Sequence, residues 1–326
     1  MKILIGGSPC TYWSVVQKKN REVTAEGLGW ELFRNYLIAK DKFKPDLFLY
    51  ENNWSAAEAI KNQICKELDV PIVHINSALV SAQNRHRFYA FNWEPTMPQY
   101  RYITLNHILD NESKEADYVL HQLFAVGVGC RNRRESDGKL YRRFETSCCP
   151  KANALTTVRT DSMVAIPVSP DARFLPDFYT VATGQIEIKG RLYRINLPDG
   201  NYVIRHFTPE ERERLQTLPD GYTKAASATQ RIKQLGNGWT AEVIIHLLGE
   251  GLKNISRNEH IIILSMYDGI GTGRYCLDKL GFANVTYYAY EIDKSAINVA
   301  RSNYPDIIEC GDAFNVRKDD WSILDS

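Results

Sequence analysis

The sequence places a thiol, an acid and two arginines shortly after three apolar runs. Gly6-Gly7-Ser8-Pro9-Cys10 follows Lys2-Ile3-Leu4-Ile5, and Glu51-Asn52-Asn53 follows Leu47-Phe48-Leu49-Tyr50. Gln83-Asn84-Arg85-His86-Arg87 comes after the run Ile72 to Ile75. If the runs are parallel strands, these groups share the carboxyl-end edge, where open α/β sheets build their sites. A thiolate there can act as a nucleophile. Taken singly, a packing cysteine, a capping glutamate and surface arginines are the blander explanation; their joint occurrence argues for a site. A zinc deaminase would need a cysteine where Trp13 stands.

A second constellation lies near the other end of the chain. Ile261-Ile262-Ile263-Leu264 leads through Ser265-Met266-Tyr267-Asp268 into Gly269-Ile270-Gly271-Thr272-Gly273, which predicts a strand, a glycine turn and a helix start. Such glycines let the main chain approach a ligand closely, and the helix N-terminus favours a negative group. Glu291, about 20 residues on, ends the next predicted strand, where an acid can take both hydroxyls of a ribose. Asp312, after Gly311, falls at the end of a third. Arg274 stands where a dinucleotide fingerprint wants glycine, so the acid-bearing turn suits S-adenosylmethionine better than NAD.

The elements that must position these groups read as α/β at both ends of the chain. Apolar runs alternate with helical spacing at Glu31 to Ala39 and Ser55 to Leu68, which predicts a parallel sheet with helices on its faces. From about Trp93 the texture changes to prolines, short β-rich pieces and polar turns, with hairpin alternation over Tyr179 to Asn201. Thr208-Pro209-Glu210-Glu211 has the wording of a capping box with proline at the first helical position, and Thr240 to Leu252 carries an apolar stripe. We divide the chain into residues 1–95 and 225–326, two parts of one catalytic domain, around a smaller mostly β domain at 96–224.

Composition narrows the partners. The 326 residues are 44% hydrophobic and 24% charged, as in a globular protein with a core. No run approaches a membrane span of ~20 apolar residues, and the first residues are too short for a signal peptide, so a cytoplasmic location is expected. The 7 cysteines include no C-x-x-C pair, which argues against a zinc ribbon, and no metal is expected. With a net charge of +1, nucleic-acid binding must rest on local basic clusters.

These motifs resemble the DNA (cytosine-5) methyltransferases, and their wording is closest to the animal de novo enzymes. Gly6 to Cys10 resembles the nucleophile motif, Glu51-Asn52-Asn53 the Glu-Asn-Val motif and Gln83 to Arg87 the Gln-x-Arg-x-Arg motif. Arg205-x-x-Thr208-Pro209-x-Glu211 resembles the motif closing the target-recognition domain. Gln234-Leu235-Gly236-Asn237-Gly238-Trp239-Thr240 resembles the family's last conventional motif, and Tyr267 to Gly273 its first. The order differs from the common one, in which the cofactor motif leads; here the Pro-Cys motif leads. Joining residue 326 to residue 1 restores the usual order, so the resemblance implies a circular permutation. Thr11, Asn53 and Tyr267 depart from the family's Gln, Val and Phe without removing a reacting group.

The resemblance implies a Rossmann-like S-adenosylmethionine-dependent sheet with a β target-recognition domain, acting on double-stranded DNA. It implies that Cys10 adds to C6 of a flipped cytosine, that Glu51 contacts N3 and the exocyclic amine, and that Arg85 and Arg87 hold O2 or nearby backbone. Tyr267, Asp268, Gly269, Gly271, Thr272, Glu291, Ile292, Asp312, Pro9, Asn237 and Trp239 would line the cofactor site. A loop from Thr11 to Gly29 would close over the base, with Ser14, Lys18, Lys19 and Arg21 toward DNA. Arg131, Arg133, Arg134, Arg142 and Arg143 would serve the recognition domain, most of them on phosphates. The competing classes are a catalytically inactive relative, which should have lost Cys10 or the cofactor turn, and an enzyme acting on RNA or with a modified donor group. Oligomeric state is not legible.

Overall fold

The computed structural model describes residues 1–14, 21–110, 124–134, 140–147 and 149–321, with the main chain alone at 132–134 and 140. From the start of the chain, β1 (Lys2–Gly6), the helix Gly27–Phe43, β2 (Leu47–Asn53), the helix Glu58–Leu68 and β3 (Ile72–Asn76) alternate as the apolar spacing predicts. Strands β1 and β2 pair in parallel. A short β4 (Gln83–Asn84) then leads into β5 (His86–Phe91), which inserts between β2 and β3 and runs antiparallel to both. That reversal matters for the site: the start of β5, not its end, lies beside the carboxyl end of β2, with Arg87 opposite Asn53.

The middle of the chain forms a separate antiparallel sheet. It comprises β6 (Val126–Arg134), β7 (Leu140–Thr146), β9 (Met163–Pro167), β10 (Phe178–Ala182), β11 (Gln185–Ile188), β12 (Arg191–Arg194) and β13 (Gly200–His206), while β8 (Ala152–Asn153) pairs with β4. Its own core, from Val128 to Ile204, gathers Val128, Ala165, Val181, Ile186 and Ile204. The flanking stretch with Leu105, Ile108 and Leu109, and the helix Pro209–Leu215, pack instead into the larger core. The β core therefore lies well inside the bounds 96–224.

The chain returns to the first sheet through the helices Ala228–Asn237 and Ala241–Gly251, then β14 (Ile261–Met266), the helix Thr272–Lys279, β15 (Val285–Tyr290), the helix Lys294–Asn303 and β16 (Ile308–Gly311). In space the sheet order is β16-β15-β14-β1-β2-β5-β3. Ile3 and Ile5 point into one core layer and Leu4 into the other, the alternation of a strand buried on both faces. Among the described residues, no helix is long and apolar enough to cross a membrane.

A buried polar knot joins the two sheets. Gln83 Nε2 donates to the Leu215 carbonyl and Gln216 Oε1, while Gln83 Oε1 accepts from the Leu155 amide. Buried Lys151 donates to the carbonyls of Ala78, Ser81 and Ile103 at 2.8, 2.8 and 2.6 Å. Buried amides and ammonium groups are tolerable only when satisfied in this way. The capping box forms as expected, with Thr208 Oγ1 accepting from the Glu211 amide and Glu211 accepting from the Thr208 amide. Removing the cap in Thr208→Ala should cost about 1 kcal/mol of stability, read as a lower urea midpoint at unchanged slope.

Candidate active site

Cys10 begins a one-turn 3-10 helix directly after β1. β1 and β2 are neighbours in register, with Gly6 opposite Tyr50, so Glu51 emerges beside the Gly6-Gly7 turn. The approach needs glycine: a Cβ on Gly7 would lie 2.7 Å from the Glu51 carbonyl and 3.0 Å from its Oε2. Below the turn, Asn52 Nδ2 donates to the Ser8 carbonyl at 2.9 Å and to the Tyr50 hydroxyl at 3.0 Å. The Pro-Cys turn is thereby tied to the strand that carries the acid.

Glu51 is buried with both oxygens engaged. Arg87 Nε lies 2.9 Å from Oε1, and the Trp239 indole donates to Oε2 at 3.0 Å. Burial raises the carboxyl's pKa, and the nearby charges of Arg87 and Arg85 and the Trp239 hydrogen bond only partly oppose it. Such a group holds its proton more readily than an exposed glutamate and can hand it on.

Arg85 and Arg87 divide their labour. Arg87 lines the cavity with Cys10 and Glu51. Arg85 is 2% exposed and spends its guanidinium on the carbonyls of Leu155, Gly236 and Gly238 at 3.1, 3.1 and 2.8 Å. Of the two arginines expected to hold the substrate, Arg87 reaches the cavity, whereas Arg85 is turned to main chain and is not among the residues lining it. Burial and the Arg87 charge push its pKa down to about 9, so it stays charged at neutral pH. Its bonds fix the residues on either side of Asn237, next to Trp239 and hence to Glu51.

A cavity of about 520 Å³ opens over this edge. Its walls include Pro9, Cys10, Glu51 and Arg87 together with Asn237, Trp239, Tyr267, Asp268, Gly269, Thr272, Glu291, Ile292 and Asp312. Gly271, at φ +76°, shapes the turn but is not in the lining. Tyr267 holds a left-handed φ of +60°, strained for a non-glycine residue, and its hydroxyl donates to the Leu32 carbonyl at 2.7 Å. Glu291 accepts the Gly269 amide on one oxygen and the Ile292 and Asp293 amides on the other, each at 2.8 Å. Asp312 caps the turn after β16 by accepting the Phe314 amide.

Asp268 Oδ1 accepts the hydroxyls of Ser265 and Tyr287 at 2.7 and 2.6 Å. Burial nevertheless pushes its pKa up to about 6, with Glu291 adding to the rise. Phe314, Leu32 and Lys233 also line the cavity. No motif marked them, because they come from a 3-10 turn and two helix faces that only the fold brings together.

The basic residues expected to face DNA are dispersed in their roles. Lys18 and Lys19 lie outside the described residues. Ser14 donates its amide to the Cys10 carbonyl. Arg21 is committed to main chain, donating to the carbonyls of Ser55 at 2.8 Å and Trp13 at 3.4 Å. Arg131 is neutralised by Glu145 and Asp161 at 3.4 and 3.5 Å, the first brought to it by the pairing of β6 with β7 and the second by a 3-10 turn at Arg159–Asp161. Exposed Arg142 donates to Cys130 Sγ, and half-buried Arg143 borders a groove with Arg194. Arg133 and Arg134 lie on β6, where the main chain alone is described.

A cavity at the carboxyl ends of a largely parallel sheet, with helices packed on it, is the arrangement of doubly wound α/β enzymes. Within that class, the family model of C-5 cytosine-specific DNA methylases matches residues 1–253, and the chain belongs to that family. Family membership implies a methyltransferase acting at cytosine C5. Among curated proteins none matches the chain.

The raised pKa of Asp268 has a consequence for stability. Folding favours its protonated form, so its contribution is fullest below the ordinary aspartate value and is lost as pH rises through about 6. Asp268→Asn keeps an acceptor for Ser265 and Tyr287 without the buried charge. The ligand-free variant should melt above the wild type at pH 8, by a margin that shrinks at pH 5, in paired thermal scans.

Proposed function

We propose that the protein methylates C5 of a flipped cytosine in double-stranded DNA, with S-adenosylmethionine as donor and Cys10 as covalent catalyst. The observation that carries this reading is that Cys10, Glu51 and Arg87 share one cavity with Asp268, Glu291 and Asp312. The cavity's size falls in the range of small-molecule sites. Its chemistry fits the donor: Glu291 and Asp312 offer carboxylate oxygens for ribose hydroxyls and an adenine amine, Ile292 and Phe314 flank with apolar surface, and Asp268 suits a cationic amino acid end. When bound, the donor supplies an electrophilic methyl group.

The remaining chemistry belongs to this chain's residues. Cytosine C5 is a poor nucleophile, so the ring must first be activated. The Cys10 thiolate adds to C6, forming a C–S bond as the ring's electrons move toward N3. Glu51 delivers its proton to N3, which leaves C5 enamine-like. Arg87 holds the Glu51 carboxyl in line and complements negative charge at O2. After C5 has taken the methyl group, its proton passes to solvent, the freed electron pair re-forms the C5=C6 bond as the C6–S bond breaks and Cys10 leaves as a thiolate, and Glu51 recovers a proton from N3. None of this reaches a stacked base, so the nucleotide must leave the duplex at a cost of a few kcal/mol.

The same reading takes the chain as a circular permutation of the family's common order. Two observations support it. The match to the family model ends at residue 253, before β14 and the cofactor residues that follow it. Lys2 and Trp321 both meet the Phe43 ring, at 5.3 and 5.8 Å, so the strand carrying the nucleophile begins beside the segment that follows β16.

The test is direct. With labelled S-adenosylmethionine and duplex DNA, label should appear in 5-methylcytosine, and DNA containing 5-fluorocytosine should trap a covalent complex with the wild type. Cys10→Ser should abolish both. Label on RNA alone, or turnover by Cys10→Ser, would contradict the reading.

A further inference from the structure

We propose that Glu22 is a positioning residue for the nucleophile, holding the Cys10 turn in place through a carboxylate clasp; this rests on the reading of Cys10 above. The expected loop from Thr11 to Gly29 is tied down on both sides of residues 15–20, which lie outside the described residues. The amides of Trp13 and Ser14 both donate to the Cys10 carbonyl, at 3.1 and 3.0 Å. Trp13 is fully buried beside Trp30, so the turn carrying the nucleophile is anchored by an indole in the core. The indole N–H donates to Glu22 Oε2 at 3.1 Å, the Gly29 amide donates to Glu22 Oε1 at 2.9 Å, and the Glu22 amide donates to the Tyr12 carbonyl at 2.8 Å.

The seat is shaped for this carboxylate. A Cβ on Gly29 would come within 2.5 Å of Glu22 Oε2 and 2.8 Å of the Trp13 indole nitrogen. One on Gly27, whose φ is +86°, would come within 2.5 Å of Oε1. The helix Gly27–Phe43 has no acid in its first turn, and Glu26 at its N-cap makes no side-chain capping bond. Glu22 therefore supplies the negative charge that a helix N-terminus favours, and in doing so joins that helix to the Cys10 turn. Arg21 extends the clasp to the Ser55 carbonyl, just after the strand that carries Glu51.

Both side-chain partners of Glu22 are N–H donors, so only a carboxylate satisfies both; an amide must present its NH2 to one of them. Glu22→Gln should therefore loosen the turn while leaving Asp268, Glu291 and Asp312, the cavity's carboxylates from the far end of the chain, in place. We expect trapping on 5-fluorocytosine DNA to slow by about tenfold or more, since small displacements of a reacting group are costly, with affinity for S-adenosylmethionine unchanged by calorimetry. Trp13→Phe should slow trapping likewise. The double variant should be no slower than Glu22→Gln alone, because both changes break one contact. Glu26→Gln is the control and should match the wild type.

Wild-type trapping rates in Glu22→Gln, additive losses in the double variant, or a parallel loss of donor affinity would overturn the clasp. Should Glu22→Gln fail to fold, Trp13→Phe decides by the same two readouts. A wild type that traps nothing would instead overturn the role of Cys10, and the clasp with it.

Discussion

Glu51 has one carboxyl oxygen held by Arg87 and the other by the Trp239 indole, and much of the surrounding structure serves to keep that arrangement. The three residues come from β2, from the start of β5 and from the turn between the helices Ala228–Asn237 and Ala241–Gly251. A carboxyl buried this deeply would be costly without partners. The partners leave it raised in pKa rather than pinned as a permanent anion, which suits a group that must give a proton and take it back.

Two further supports hold this pivot. Gly7 leaves room for Glu51 against the Pro-Cys turn, where any Cβ would collide with it. Arg85, from inside, draws together the carbonyls of Leu155, Gly236 and Gly238. Leu155 lies between β8 and β9, on the way into the antiparallel sheet, and Gly236 and Gly238 flank Asn237, just before Trp239. One buried guanidinium thus ties the segment leading into the antiparallel sheet to the turn whose indole holds the acid. A Cβ on Gly236 would meet the Thr156 main chain at 2.5 Å, so that crossing is as close as backbones allow.

The sheet and the place of Cys10, Glu51 and Arg87 at its edge were legible because strands buried on both faces leave uninterrupted apolar runs, and these residues stand close to their ends. Lys2 to Ile5 and Ile261 to Leu264 need no partner to be recognised. The helix Ala228–Asn237 was harder: its sequence, Ala-Thr-Gln-Arg-Ile-Lys-Gln-Leu-Gly-Asn, has little apolar stripe, and it buries mainly Gln234, Leu235 and Gly236. The roles of Arg85, Arg21 and Arg131 were not legible at all. A charge in a sequence gives no sign of whether a carbonyl, a carboxylate or solvent will meet it, and their partners lie 70, 34 and 30 positions away at Leu155, Ser55 and Asp161. Spacing located the edge of the sheet; only tertiary packing sorted which arginines face the cavity.

The most direct test is the pH dependence of single-turnover methylation in Glu51→Gln beside the wild type, at saturating donor and DNA. If Glu51 is the proton donor to N3, the variant should bind both partners yet lose the chemical step by about 10²-fold or more. The wild-type decline at high pH, set by loss of the Glu51 proton, should be missing from whatever activity remains. A Glu51→Gln enzyme that methylates at the wild-type rate with the same pH profile would contradict the central role assigned to that carboxyl group.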